Sequence, residues 1–314
     1  MTDFGEKILG ICQAQGLEAF GLVDIDQTLD HPLFQTHYRY YADWISKGMH
    51  GEMKYLERGF ERRGNPRLLL PSSQSVLSVL FSYPRKREDD GVSPRYARYL
   101  VGDDYHDRLK ERLEQVAKSV SESTPGLEWK VCVDTSAMLE RTWAMLSGLG
   151  WIGKNSLLIH PKLGSYVFIA SILFSEKSGL GPNVLKDYCG NCTRCLKACP
   201  TGALIEPSVL DSRKCIAYWT LEMRGPWKYE EPRQSTKRWV AGCDGCQEVC
   251  PFNIKPARDL PDDPEVARLT QHCVTDLEYL ERETELEYKA RVKDTALSRV
   301  KFADFKRNLE WFKE

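Results

Sequence analysis

Apolar positions recur with a helical period over residues 3–16, at Phe4, Ile8, Ile11 and Cys12, and Gly16 supplies a stop. Ala19–Val23 then reads as a strand. Residues 36–58 are aromatic-rich and helix-like, interrupted at Gly48 and Gly51. Val76–Tyr83 is an apolar strand with Pro71 and Pro84 on its flanks. Tyr105, Leu109, Leu113, Val116 and Val120 form one apolar face of a helix over 104–121. Trp129–Asp134 predicts a strand, Ser136–Ser147 a helix, and Ser156–His160 and Tyr166–Phe174 two more strands around a turn at Pro161 and Gly164. This alternation over 1–180 predicts an α/β domain, an α+β sandwich. Short elements rich in Cys, Gly and Pro follow over 189–256, as in a small module folded around metal. Residues 257–314 form a tail with helical spacing at Leu297, Val300, Phe305, Leu309 and Phe312.

Composition changes this picture in one place. The chain has 314 residues, enough for about two domains, with 42% hydrophobic and 28% charged residues. A net charge of −1 leaves any nucleic-acid signal to local patches. No apolar run is long enough to span a membrane, and the acidic-amphipathic start does not read as a signal peptide. The cysteines stand out: there are 11, an odd count with no secretion signal, which points to metal rather than a disulfide framework.

Eight of these cysteines form two sets. Cys189, Cys192, Cys195 and Cys199-Pro200 follow C-x2-C-x2-C-x3-C-P, the run of bacterial ferredoxins. Cys243, Cys246 and Cys250-Pro251 repeat its end, with Cys215 upstream. Soft thiolates suit iron–sulfur clusters or zinc, but a zinc site needs neither the third cysteine nor the Cys-Pro ending. Two 4Fe-4S clusters are therefore expected. Crossed ligation assigns Cys189, Cys192, Cys195 and Cys250 to cluster one, and Cys199, Cys215, Cys243 and Cys246 to cluster two. Cys12, Cys132 and Cys273 read as small buried hydrophobes.

The remaining motifs are ambiguous by themselves. Gly148-Leu-Gly150-Trp-Ile-Gly153 fits G-x-G-x-x-G, yet a helical segment precedes it and a strand follows, the reverse of a dinucleotide site. It is either a loop close to something flat or anionic, edged by Lys154, Asn155 and Ser156, or a tight turn. Asp134, at a strand end, is either a proton donor or the cap of the helix after it. Glu140 and Arg141 read as an ordinary solvated pair, and His106 as structural or exposed. Lys228, Arg233, Lys237 and Arg238 interleave with Trp227, Tyr229 and Trp239, as a nucleic-acid patch or a solvated loop. A second basic stretch covers 289–307.

Taken together, Val-Asp134-Thr with Glu140-Arg141, Gly150-Trp-Ile-Gly-Lys-Asn155-Ser, Gly164-Ser165, the double ferredoxin motif and Gly242-Cys-Asp-Gly-Cys-Gln-Glu-Val-Cys-Pro251-Phe-Asn resemble the epoxyqueuosine reductases. The resemblance implies a cobalamin-binding α/β domain over 1–180, a ferredoxin-like two-cluster domain over 181–256 and a short helical tail. It implies an enzyme that reduces the epoxide of epoxyqueuosine to queuosine at the wobble position of tRNA. Cobalamin would be its reductant, fed by two 4Fe-4S clusters. Asp134 would be the proton donor. Arg141, Lys154, Asn155, Ser156, Leu158, His160 and Ser165 would contact cobalamin, without a histidine below the cobalt. Lys228, Arg233, Lys237 and Arg238 would face the anticodon loop of the tRNA. A cytoplasmic monomer served by an external low-potential electron donor is expected. The stretch from Arg95 to His106 is longer than the family's usual form, and many members continue further at the C-terminus. The rival readings are another cobalamin–iron–sulfur enzyme, such as a reductive dehalogenase, and a ferredoxin-like electron carrier.

Overall fold

The computed structural model describes residues 1–83, 90–228, 238–254 and 273–310. They divide into two compact units: 1–82, 106–153 and 157–190 in the first, and 83–105, 154–156 and 191–314 in the second.

The first unit is built on a four-stranded antiparallel sheet. Its strands are β1 (Ala19–Asp24), β2 (Ser75–Ser82), β3 (Trp129–Val133) and β4 (Val167–Phe174), in the order β1-β2-β4-β3. Alternate residues of β4 serve opposite faces, because strand side chains alternate. Leu173 joins the core cluster with Trp143, Ala144 and Leu146, whereas Phe174 meets Phe4 edge-on at 5.8 Å. Helices therefore cover both faces, and the sandwich expected from the alternating pattern is present. Phe4 belongs to α1 (Asp3–Ala14), which is capped by the Thr2 hydroxyl accepting the Gly5 N–H at 3.1 Å. Two more helices of this unit are α2 (Pro32–Ser46) and α3 (Tyr105–Glu122). Leu109, Leu113, Val116 and Val120 of α3 are buried, as their spacing predicts. Trp143 of α4 (Glu140–Leu146) is fully buried, and truncating such a side chain to alanine typically costs about 3–5 kcal/mol.

Two expectations fail here. The helix predicted from Ser136 begins only at Glu140. Residues 134–139 are spent in tight turns, with Thr135 N–H bonded to Val133 O at 2.5 Å and Met138 N–H to Ser136 O at 2.8 Å. Met138 is buried all the same, so its apolar signal was real but not helical. The strand expected at Ser156–His160 shrinks to Leu158–Ile159, paired with Trp151–Ile152.

In the second unit, Trp239–Ala241 pairs in parallel with Arg95–Tyr96. A core of Tyr96, Leu100, Val240, Tyr288, Leu297, Val300, Phe305 and Leu309 gathers around them. The predicted tail helix is α5 (Phe302–Leu309); Phe312 lies outside the described residues. Asn308 of α5 donates to the Thr220 and Val240 carbonyls at 2.9 and 2.8 Å, and Arg307 to the Trp219 carbonyl at 2.8 Å.

Candidate active site

Asp134 follows directly on the last residue of β3. Its φ is +45°, in the left-handed region, and the Thr135-to-Val133 hydrogen bond closes a three-residue γ turn around it. This is the rare, strained form of that turn, and positive φ at a residue other than glycine costs roughly 1–3 kcal/mol. Asp and Asn tolerate it better than most residues. The turn lifts the carboxyl off the sheet edge and leaves the side chain 44% exposed. Asp134 is therefore not a helix cap: Leu139 holds that position for α4.

Two side chains grip the turn. His106, in the first turn of α3, brings Nε2 to 2.8 Å from Asp134 Oδ2. Glu140, the first residue of α4, accepts the Asp134 backbone N–H on Oε1 at 2.9 Å. Neither residue has the bland role its sequence setting suggested. Nothing periodic relates His106 to Asp134, so the pairing had no local signal to find.

Glu140 is strongly desolvated. Burial, and then the nearby Asp134 charge, push the Glu140 carboxyl up to about 8, against the pull of the Asp134 backbone N–H, Arg141 and Arg63. Arg141 is exposed, and desolvation lowers its guanidinium pKa against the pull of Glu140. His37 of α2 is lowered by burial and by Arg141, and its Nδ1 lies 3.4 Å from the Thr142 hydroxyl. Glu140, Arg141 and His37 thus influence one another's protonation.

The other residues expected to contact a cofactor occupy different settings. Gly150, at φ +156°, backs so closely on the Ile159 carbonyl that a Cβ would collide with it. Leu158 is buried in the short strand, and Ser165 is buried beyond it. His160 Nδ1 accepts the Lys162 and Leu163 N–H groups at 3.3 and 3.0 Å. Lys154, Asn155 and Ser156 belong to the second unit, where the Lys154 carbonyl accepts the Ser208 N–H at 3.0 Å. Asn155 and Ser156 are buried.

Four thiols of the second unit form an interacting set. Burial, and then Cys199, raise the Cys215 thiol; burial, Cys215 and Cys199 raise Cys243; and Cys246 feels Cys243, Cys215 and Cys199. Thiolates crowded in a desolvated space repel one another unless a cation shares them, so this donor set suits a bound iron–sulfur cluster. Backbone N–H groups of Ala203 and Gly245 already point at Cys199 and Cys243 sulfur, at 3.2 and 3.4 Å. In the first unit, the Trp151 indole N–H reaches Cys189 sulfur at 3.4 Å. Cys192 and Cys195 are half-buried and Cys250 is buried. Of the cysteines outside the two sets, Cys12 and Cys132 are fully buried, but Cys273 is only half-buried.

Of the residues expected at the tRNA, Arg233 and Lys237 lie outside the described residues. Lys228 is exposed. Arg238 donates to the Ser93 carbonyl at 2.7 Å. The basic tail turns much of its charge inward. Arg291 is bonded to Glu283 at 2.6 and 2.8 Å, and Lys306 to the carbonyls of Leu280 and Glu281 at 2.7 and 2.8 Å.

Comparison with known proteins bears on both units. A family model described as epoxyqueuosine reductase QueG matches residues 63–135, and a 4Fe-4S double cluster binding domain matches residues 188–253. The epoxyqueuosine reductase of Cyclobacterium marinum is 35% identical over 86% of each chain. That of a Synechococcus species is 36% identical over 93% of this chain and 89% of its own. A solved epoxyqueuosine reductase with an epoxyqueuosine-modified tyrosine tRNA stem loop has a TM-score of 0.81 at 28% identity, covering 98% of this chain and 80% of that one. The Streptococcus thermophilus structure has a TM-score of 0.80 at 26% identity, covering 99% and 80%. With identity at this level across most of both sequences, the chain belongs to the epoxyqueuosine reductase family.

Proposed function

We propose that this chain reduces the epoxide of epoxyqueuosine in tRNA to the alkene of queuosine, with Asp134 as the acid and His106 as the group that resupplies its proton. Removing the oxygen takes two electrons and two protons and releases water. Cobalamin, when bound, supplies a strongly reducing low-valent metal that iron–sulfur clusters alone do not offer to carbon. The protein's part is to protonate the leaving oxygen and to hold the reactants.

The observation that carries the reading is the His106–Asp134 contact on an exposed, strained turn. Asp134 Oδ is where the proton for the oxygen would sit, and the His106 Nε2–H can replace it across 2.8 Å for the second transfer. The Bacillus subtilis relative has been solved with its aspartate-bearing catalytic loop swung out of the active site, which fits an acid carried on a turn rather than in a helix.

The crossed partition of the clusters is supported by the mutual influence of Cys199, Cys215, Cys243 and Cys246. The partner set is Cys189, Cys192, Cys195 and Cys250. Arg141, Lys154, Asn155, Ser156, Leu158, His160 and Ser165 would hold the cobalamin. Lys228 and Arg238 would lie towards the tRNA. An external low-potential donor feeds the clusters, and the enzyme works as a cytoplasmic monomer. No described helix is long and apolar enough to cross a membrane.

The test is Asp134→Asn. Asn keeps the size and the tolerance of positive φ, so the turn and the melting temperature persist. Turnover of epoxyqueuosine tRNA should fall by about 10²–10⁴-fold, the usual worth of a positioned acid. Full activity in the Asp134→Asn variant would end the proton-donor assignment.

A further inference from the structure

Asp134 must be held in a backbone form that few residues favour. Its φ is +45°, and it stands between the last residue of β3 at Val133 and the first of α4 at Glu140. What grips it comes from side chains. His106 takes the carboxyl, at 2.8 Å, while Glu140 Oε1 takes the backbone N–H, at 2.9 Å. The two holds are separable, since one acts on the reacting group and the other only on the chain that carries it.

In a capping box it is a glutamate at the third helical position that reaches back to the N-cap residue. Here the N-cap is Leu139, with no side-chain cap bond, and the Glu140 carboxylate passes over it to a residue six positions upstream. The space beside it is tightly shared. A Cβ on Gly59 would stand 3.0 Å from the Ala137 Cβ and would collide with the end of Arg63, one of the cations facing Glu140. Arg63, Arg141 and Asp134 are the charges that act on this carboxyl.

We infer that Glu140 is a positioning residue that latches the 133–135 turn through the Asp134 amide, presenting the Asp134 carboxyl to His106 and to substrate. The inference rests on the acid role proposed for Asp134 and adds the residue that keeps that acid in place. The latch is a hydrogen bond, so any acceptor of the same reach will serve.

Cluster- and cobalamin-loaded wild type, Glu140→Gln and Glu140→Ala are compared in two ways. In amide hydrogen exchange read on the 131–140 peptide, the Ala variant exchanges at least tenfold faster. The Gln variant stays within twofold of wild type, because its carbonyl oxygen still accepts the N–H. With epoxyqueuosine tRNA, the Ala variant loses at least tenfold in kcat with KM within twofold, and Gln recovers at least fivefold over Ala. Should Ala fail to fold, Glu140→Asp, one methylene too short to reach, is read by the same exchange and should loosen. Wild-type exchange in Ala or Asp overturns the latch. So does a Gln variant that exchanges as fast as Ala, since an acceptor of the same reach would then not hold the turn. Exchange does not depend on turnover. A fully active Asp134→Asn enzyme beside a loosened Ala variant therefore sinks the acid role and leaves the latch standing.

Discussion

The carboxyl of Glu140 sits up at about 8 because its charged form is desolvated and faces Asp134. A group raised in this way binds its proton more tightly in the folded chain than in the unfolded one. Its contribution to stability is complete below the ordinary glutamate range and is lost as pH rises through about 8. Between roughly pH 5 and 9 the melting temperature of the wild type should therefore fall more steeply than that of Glu140→Gln, which cannot ionise. Other raised groups, such as Asp244 beside Arg98, are common to both proteins and cancel in the difference. Parallel melting curves against pH would show that Glu140 is not the desolvated group. The γ turn leaves the Asp134 side chain 44% exposed, while its neighbour Glu140 is the desolvated carboxyl.

Among the elements, α5 shows what a helical pattern reveals and what it hides. Its apolar face, Phe305 and Leu309, is plain in the spacing and is buried as expected. Asn308, a polar residue of the same helix, is completely buried and clamps carbonyls 88 and 68 residues away. Arg307 joins it, with its guanidinium 4.5 Å from the centre of the Trp227 ring. Asn308→Ala leaves two buried acceptors unsatisfied, which costs about 1–3 kcal/mol for each such group. The urea midpoint should drop accordingly, whereas substitution of exposed Lys301 should leave it within error. An unchanged midpoint in the Asn308 variant would mean that the clamp contributes nothing. The start of α4 was misread for a related reason: Met138 is buried from a turn, and burial alone does not distinguish a turn from a helix.

For the whole molecule, the distribution of the thiols makes the sharpest demand. Cys199 comes from the first cysteine set and Cys215 from between the sets, yet both act on Cys243 and Cys246. Cys199→Ala and Cys215→Ala should therefore remove the same electron paramagnetic resonance signal, and Cys192→Ala the other. If the first two variants lost different signals, the partition would be wrong. The spacing of these cysteines, the short apolar runs of the sheet strands and the apolar face of α3 were legible because each is a local pattern, written in neighbouring residues of one element. The group formed by Asp134, His106 and Glu140 was not. His106 and Asp134 lie 28 residues apart on different elements, and a single hydrogen bond between them leaves no periodic trace. Sequence alone determined the cysteine spacing that matches a 4Fe-4S double cluster domain, and the strands that carry the site. Tertiary structure decided which histidine meets the acid and which carboxylate holds its turn, because those choices depend on where the ends of β3, α3 and α4 converge.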